Sequence, residues 1–281
     1  MSQPKVSILT TCYNRALFLG EAITSVLSQT FEDFEYIIVD DCSTDGSIEI
    51  ANRFANRDQR IKVYKNETNL GDYPNRNRAA SYATGEYLKY IDSDDILFPH
   101  TIDVMVRCMD SFPDAGIGLS AAYIQEARYP ICLTPTDAFH FNFTKTDIFG
   151  RAPGSAIIRR SAFEAQKGFS GLRQIGDFEC WMKLACYYPL VVMPRDLYWA
   201  RTHADQEQHY DDVQTKHEMK VKVLNALKDS AICPIDLQPY IRELEVQYHK
   251  GKNRMKLKQF VSLHDNLYRT ITLLRSKLKS Y

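Results

Sequence analysis

The chain has 281 residues, 44% hydrophobic and 25% charged, and its 35 Lys and Arg balance 35 Asp and Glu. That composition suits a globular protein of one large α/β domain plus an appendage, and zero formal net charge gives no general attraction to nucleic acid. No run approaches the roughly 18 apolar residues of a membrane span, and no apolar signal region follows Met1, so the expected location is the cytosol.

Val6 to Thr10 reads as a first strand, followed by the polar turn Thr11-Cys12-Tyr13-Asn14-Arg15. Leu19, Ile23, Val26 and Leu27 then recur at helical spacing as far as Gln29. Tyr36 to Val39 is a continuous apolar run, as in a strand buried on both faces, and it ends in Asp40-Asp41-Cys42-Ser43-Thr44-Asp45-Gly46. A helix from near Ser47 carries Ile48, Ala51 and Phe54, and Ile61 to Tyr64 is a third strand. After the turn Asn69-Leu70-Gly71, a polar helix from Tyr73 to Ala83 leads into a fourth strand, Tyr87 to Ile91. This β-α-β-α-β-α-β order predicts a mostly parallel sheet covered on both faces.

The fourth strand runs directly into Asp92-Ser93-Asp94-Asp95. Taken alone the tetrapeptide fits a solvated turn and helix start. The other strand ends change that weighting. Thr11 and Tyr13 follow the first strand and Asp40 and Asp41 the second, and parallel strands put all of these at one sheet edge, where ligands of open α/β sheets bind. Clustered carboxylates repel unless a cation compensates them, and Mg²⁺ or Mn²⁺ prefers such hard oxygen ligands. No G-x-G-x-x-G lies in the first turn, which removes the main support for a dinucleotide.

Beyond Pro99 a helix runs to Ser111 with Ile102, Met105, Val106 and Met109 on one face, and Gly116 to Ala122 reads as a strand. Residues from Ile124 to Pro153 look irregular, a loop region long enough to be functional. Ser155 to Ile158 is a strand, Ser161 opens a short helix, and Phe178, Trp181 and Leu184 mark a helix starting near Gly176. By position Asp177 is an N-cap. A strand over Leu190 to Met193 and the stretch Tyr198 to His203 follow. From Asp205 helical patterns dominate, broken near Cys233-Pro234. The last helix carries Phe260, Leu267, Leu274, His264, Ile271 and Leu278 as an apolar seam. Its many Lys and Arg suit a solvated face packed on the domain, ahead of a homodimer contact or a peripheral attachment to an anionic membrane surface. Seven cysteines (12, 42, 108, 132, 180, 186 and 233) form no C-x-x-C pair, so neither disulfides nor zinc is expected.

Over residues 4 to 204 the chain resembles the family 2 glycosyltransferases. The resemblance rests on Val6-Ser7-Ile8 through Tyr13-Asn14-Arg15, on Val39-Asp40-Asp41-Cys42-Ser43-Thr44-Asp45-Gly46, and on Asn69-Leu70-Gly71 with Arg76-Asn77. It continues through Ala83-Thr84-Gly85-Glu86-Tyr87 into Asp92-Ser93-Asp94-Asp95, the family's D-x-D, then Asp177 to Trp181, and Arg201-Thr202-His203. It implies an α/β GT-A fold, a Rossmann-like nucleotide-binding mixed sheet flanked by helices over 1–204, with an α-helical C-terminal extension over 205–281. The implied reaction is inverting transfer from a nucleotide-sugar donor, UDP being the commonest, to a glycan or lipid-linked acceptor. The enzyme would then work in the cytoplasm or at the inner face of the membrane.

Sugar-nucleotide chemistry assigns the roles. Tyr13 and Asp41, supported by Thr11, suit the base, and Asn14, Arg15 and Ser93 complete the nucleotide set. A divalent metal on Asp94, helped by Asp92 and with His203 near, would neutralise the diphosphate, and Arg76 adds fixed positive charge. Asp177 becomes the general base for the acceptor hydroxyl.

Three positions depart from the family pattern. Cys12 stands where many members have Pro, Cys42 replaces Gly, and Gly176 replaces an acid. No Q-x-x-R-W occurs, which disfavours processive synthases. Two rival readings are a sugar-phosphate nucleotidyltransferase, which would need a Gly-rich first turn that Thr11 to Arg15 lacks, and a non-catalytic GT-A-like binding or scaffold module, which has no need of strand-end acids.

Overall fold

The computed structural model describes residues 3–121, 129–203 and 213–250. Four parallel strands form the first half of the sheet: β1 (Val6–Cys12), β2 (Phe34–Asp40), β3 (Ile61–Lys65) and β4 (Tyr87–Tyr90). They are linked by α1 (Ala16–Leu27), α2 (Ser47–Ala55) and α3 (Asp72–Ser81). The second half comprises β6 (Ile117–Ser120), β7 (Ile131–Leu133), β8 (Ala156–Arg159) and β9 (Leu190–Met193), giving the order β3-β2-β1-β4-β8-β6-β9-β7. Because β8 runs antiparallel to β4 and β6, and β7 antiparallel to β9, the sheet is mixed rather than mostly parallel. A two-stranded sheet joins β5 (Ile96–Leu97) to β10 (Tyr198–Trp199), fastening the chain after β9 against the segment after the D-x-D acids.

Alternation within the strands builds a core on each face. Ile8, Ile38 and Tyr87 point to one side, where Leu19 and Ile23 of α1 and Ile102, Met105 and Met109 of α4 (Thr101–Asp110) cover them. Leu9, Ile37 and Leu88 point to the other. There they meet Phe139 of α5 (Pro135–Thr144), Phe163 of α6 (Arg160–Ala165), Trp181 of α7 (Gly176–Tyr187) and Leu224 and Leu227 of α8 (Val213–Lys228). Leu237 and Ile241 extend this second core, and residues 238–250 are helical. The expected irregular loop from 124 to 153 is corrected here, since its described part contains β7 and α5. Thr134 caps α5 by accepting the Asp137 amide, with Pro135 in the first turn. The apolar seam expected between Phe260 and Leu278 lies outside the described residues.

At the amino ends of the strands, a buried carboxylate ties three of them together. Glu35 of β2 accepts from Ser7 Oγ of β1 and from Thr84 N and Oγ1 just before β4, each at 2.7 Å, and pairs with Lys62 Nζ of β3 at 2.7 Å. Burial alone would raise its pKa, but Lys62, Ser7 and Thr84 outweigh burial and hold it below the usual value. A depressed folded-state pKa gives stability that is present above the unfolded value and lost as pH falls through the folded one. Glu35→Gln is therefore expected to lower unfolding free energy by about 1–3 kcal/mol at pH 7. The gap from wild type should close below about pH 4; urea denaturation at both pH values checks this.

Candidate active site

The strand order places β2 and β3 on one side of β1 and β4 on the other, so the chain reverses direction across the sheet between β1 and β4. A crevice opens at the carboxyl ends of strands at such a point. A cleft of about 810 Å³ lies there. Thr11 enters it from the end of β1, Tyr13 and Arg15 from the turn after it, Asp41 after β2, and Asp92, Ser93, Asp94 and Asp95 after β4. The first two turns of α3 contribute Asp72, Tyr73 and Arg76, and Ala152, Arg173 and Tyr198 also line it.

Eight of the ten expected nucleotide and metal residues thus share one cleft, while Asn14, His203 and the expected general base Asp177 do not line it. Asn14 is turned to the adjoining loop. Its φ is 52° and its Oδ1 accepts the Thr44 amide at 2.8 Å, so it joins the turns after β1 and β2. His203 stands behind Asp94, and Asp177 behind Tyr73.

Tyr13 is half exposed at the cleft. Asp41 is 3% exposed, with its oxygens held by Asn66 Nδ2 at 2.7 Å and by the amides of Leu70 and Gly71 at 2.8 and 2.9 Å. Asn66 also donates to Asn75 Oδ1 at 2.9 Å, which ties the turn before α3 to α3 itself. Cys42 adopts φ 67°, the left-handed region that a glycine enters freely.

Arg76 is 7% exposed and bridges two acids, Asp72 through Nε and Asp92 through Nη2, each at 2.7 Å. Burial works against its charge, but Asp72 and Asp92 outweigh burial and keep it protonated. Its Nη1 is buried without a hydrogen-bond partner. Asp94 Oδ2 meets Arg15 Nε at 3.2 Å and His203 Nε2 at 2.9 Å. Arg201, whose side chain lies over Phe18 and Trp199, donates its amide to Asp95 Oδ1 at 3.0 Å and its Nε to the Asp94 carbonyl at 2.9 Å. Burial, with Asp92 and Asp94 beside it, raises the Asp95 carboxyl well above its ordinary value. Lys89, fully buried in β4, donates to the Gly154 carbonyl, and burial lowers its pKa.

The charge of this acid cluster is thus only partly compensated, and the Nδ1 of His203 is buried without a partner. Among the described residues no three His, Cys, Asp or Glu side chains are grouped to hold a metal. Asp94, Asp92 and His203 thus form no ready-made three-ligand site in this structure.

Asp177 is the second residue of α7, and its Oδ1 accepts the Phe178 amide at 2.7 Å. The N-cap expected there is Ile175 instead. Burial pushes the Asp177 carboxyl up to about 6, against the opposing pull of the Phe178 amide, Arg76 and Tyr73.

A mixed sheet that begins 3-2-1-4, with paired acids at its reversal point, has the architecture of the GT-A fold. The solved structure of S. aureus TarS 1-349 in complex with UDP-GlcNAc superposes with TM-score 0.66 at 22% identity, over 81% of this chain and 67% of that one. The mannosyltransferase PcManGT from Pyrobaculum calidifontis, in complex with GDP-Man and Mn²⁺, superposes with TM-score 0.65 at 18% identity, over 86% and 69%. In sequence, the model named Glycosyl transferase family 2 matches residues 7–166. EpsE of Bacillus subtilis (strain 168) is 31% identical over 192 residues, 65% of this chain and 67% of EpsE. Three further relatives are covered over only 44%, 43% and 53% of their own length. The chain belongs to glycosyl transferase family 2 and is a glycosyltransferase.

Proposed function

We propose that the protein is an inverting, metal-dependent glycosyltransferase that moves a sugar from a nucleotide diphosphate, UDP first among the candidates, to a hydroxyl of a glycan or lipid-linked acceptor. Residues 1–204 would form the catalytic unit and 205–281 a helical extension. The observation that carries this reading is one buried guanidinium between two acidic groups: Arg76 is bonded to Asp92 on the D-x-D side, and its charge acts on Asp177 on the other.

Each residue then has a task that follows from its surroundings. Tyr13 presents a ring face for stacking by the base, and Asp41 fixes the Leu70-Gly71 turn that walls the nucleotide. Arg15 and Arg76 bring positive charge to the diphosphate, whose oxygens are the natural partners for the unsatisfied Arg76 Nη1. A bound Mn²⁺ or Mg²⁺, held by Asp94 with Asp92 and His203, would neutralise the charge that develops as the diphosphate leaves. Asp177 takes the acceptor's proton while the acceptor oxygen bonds to the anomeric carbon. The bond from that carbon to the diphosphate oxygen breaks, its electron pair leaves with the diphosphate, and one displacement inverts the centre. A carboxyl poised near 6 is ionised at neutral pH yet still basic enough for the task.

The test is a screen of UDP-, GDP- and dTDP-sugars with saccharide acceptors and Mn²⁺, read as nucleoside diphosphate release. The expected result is release with one nucleotide, dependent on both acceptor and metal. Pyrophosphate release from a nucleoside triphosphate and a sugar phosphate would overturn it in favour of a nucleotidyltransferase.

A further inference from the structure

A lysine inside a buried strand is costly, because burial strips its amine of water, and an apolar residue there would burden the fold less. Lys89 is fully buried in β4, the strand that runs into Asp92 and Asp94. Its neighbours show what the amine reaches. Nζ donates to the Gly154 carbonyl and lies over the Tyr198 ring, 5.7 Å from its centroid. Both partners belong to segments that reach the cleft, since Tyr198 itself lines it and so does Ala152, just before Gly154. Gly154 is bare where that ring packs: a Cβ there would lie 3.0 Å from Cε2 and 3.2 Å from Cζ of Tyr198. Its φ is not in the left-handed region, so the glycine answers to space and not to backbone conformation. The two segments are also tied down separately. Ser155 N and Oγ donate to the Ala152 carbonyl at 2.9 and 2.8 Å, and Trp181 Nε1 of α7 donates to the Arg151 carbonyl at 2.7 Å. Tyr198 of β10 pairs with Leu97 of β5. Lys89 joins both segments to the strand that carries the acids.

We propose that Lys89 is a positioning residue: bonded to the Gly154 carbonyl and set over the Tyr198 ring, it holds the part of the cleft lined by Ala152 and Tyr198 at a fixed distance from Asp92 and Asp94, and so shapes the space for the transferred sugar. The proposal rests on the reading of the cleft as a nucleotide-sugar site. Tyr13 and Asp41 line the half of the cleft at β1 and β2, whereas Ala152 and Tyr198 come from chain beyond β4. With the base in the first half and the diphosphate at the acids, the second half is what remains for the sugar. A displacement of about 1 Å there is enough to cost about a hundredfold in rate. Lys89 does not line the cleft, so it acts through Gly154 and Tyr198 and not by contact with substrate.

The experiment uses two variants of the full chain. Lys89→Met keeps the stem and removes the amine, while Gly154→Ala keeps the amine, and with it the buried charge, and presses on the Tyr198 ring. Dissociation constants in Mn²⁺ are measured for UDP, GDP and dTDP and for the UDP-, GDP- and dTDP-sugars of the donor screen, together with kcat and the melting temperature. In Lys89→Met the nucleoside diphosphate should bind within about twofold of wild type, while the sugar nucleotide binds about tenfold more weakly and kcat falls at least about tenfold. Gly154→Ala should move the same two quantities in the same direction by about threefold. A lysine with only a structural role would lower both affinities alike and leave their ratio unchanged. An unchanged ratio and kcat in both variants overturns the proposal, and if Lys89→Met does not fold, Gly154→Ala decides alone. Diphosphate binding by the wild type with an unchanged ratio in the variants sinks the positioning role by itself. If the wild type binds none of the three diphosphates, the transferase reading fails and takes the positioning role with it.

Discussion

Asp94→Asn will lower transfer by at least about 10³-fold while the protein stays folded. The carboxylate meets Arg15 and His203 through one oxygen, and its backbone carbonyl is held by Arg201. Asparagine has nearly the same shape and can keep an acceptor towards Arg15 or His203. What it removes is the charge. That charge pairs with Arg15 but also stands beside Asp92 and next to Asp95, whose own carboxyl is pushed up partly by these neighbours, so the attraction and the repulsion oppose each other. Removing one of three close negative charges relieves repulsion while weakening the Arg15 pair, so the melting temperature should stay nearly level. A conserved melting temperature with lost turnover would separate a functional carboxylate from a structural one. Near-wild-type turnover would remove Asp94 from the reaction.

Asp177→Asn should be as damaging to turnover, about 10³-fold or more in kcat, with little change in nucleotide affinity. The two variants differ in what they leave intact, since Asp177 lies behind Tyr73 rather than among the D-x-D acids. In the wild type the carboxyl must be ionised to accept a proton, so the rate should fall as pH drops through about 6. The sign for stability is opposite to that of Glu35. A folded-state pKa raised above the ordinary 3.8 means that ionisation destabilises the fold, a penalty absent at low pH and complete above about pH 6. Asparagine removes the penalty, so Asp177→Asn should unfold at a higher temperature than wild type at pH 8 and lose that advantage near pH 4. Paired kcat profiles and thermal melts at the two pH values test both statements. A variant that is inactive because it is unstable would contradict them.

Local signals carried much of the fold. β2 was legible because Tyr36 to Val39 run without interruption, β1 from Val6, Ile8 and Leu9 ahead of a polar turn, and α1 because Leu19, Ile23 and Val26 sit on one helical face, all of which the structure buries. The direction of β8 was not legible, because a four-residue strand such as Ala156–Arg159 pairs equally well either way and its neighbours β4 and β6 are fixed by distant chain. α5 did carry a signal, Thr134 and Pro135 followed by Asp137, but its aromatic-rich and Thr-rich sequence masked the helical period. For the cleft, strand ends identified Thr11, Tyr13, Asp41, Asp92 and Asp94, since topology alone delivers them to one edge. Lys89 was missed, although a lysine inside a buried strand is itself a signal that an acid or a carbonyl must lie near. The packing of Tyr73 against Gly176 could not be read, because it joins residues far apart in sequence through a turn and two helices.

The most direct measurement of the central claim is the melting temperature of the full chain with UDP, GDP or dTDP, each in Mn²⁺ and again in EDTA. A ligand that binds only the folded state raises apparent stability by about 2.7 kcal/mol at a hundredfold excess over its dissociation constant. The expected result is a clear rise with one nucleotide in Mn²⁺, abolished by EDTA and by Asp94→Asn. No rise with any of the three, with or without metal, would contradict a nucleotide and metal site at the carboxyl ends of β1 and β4.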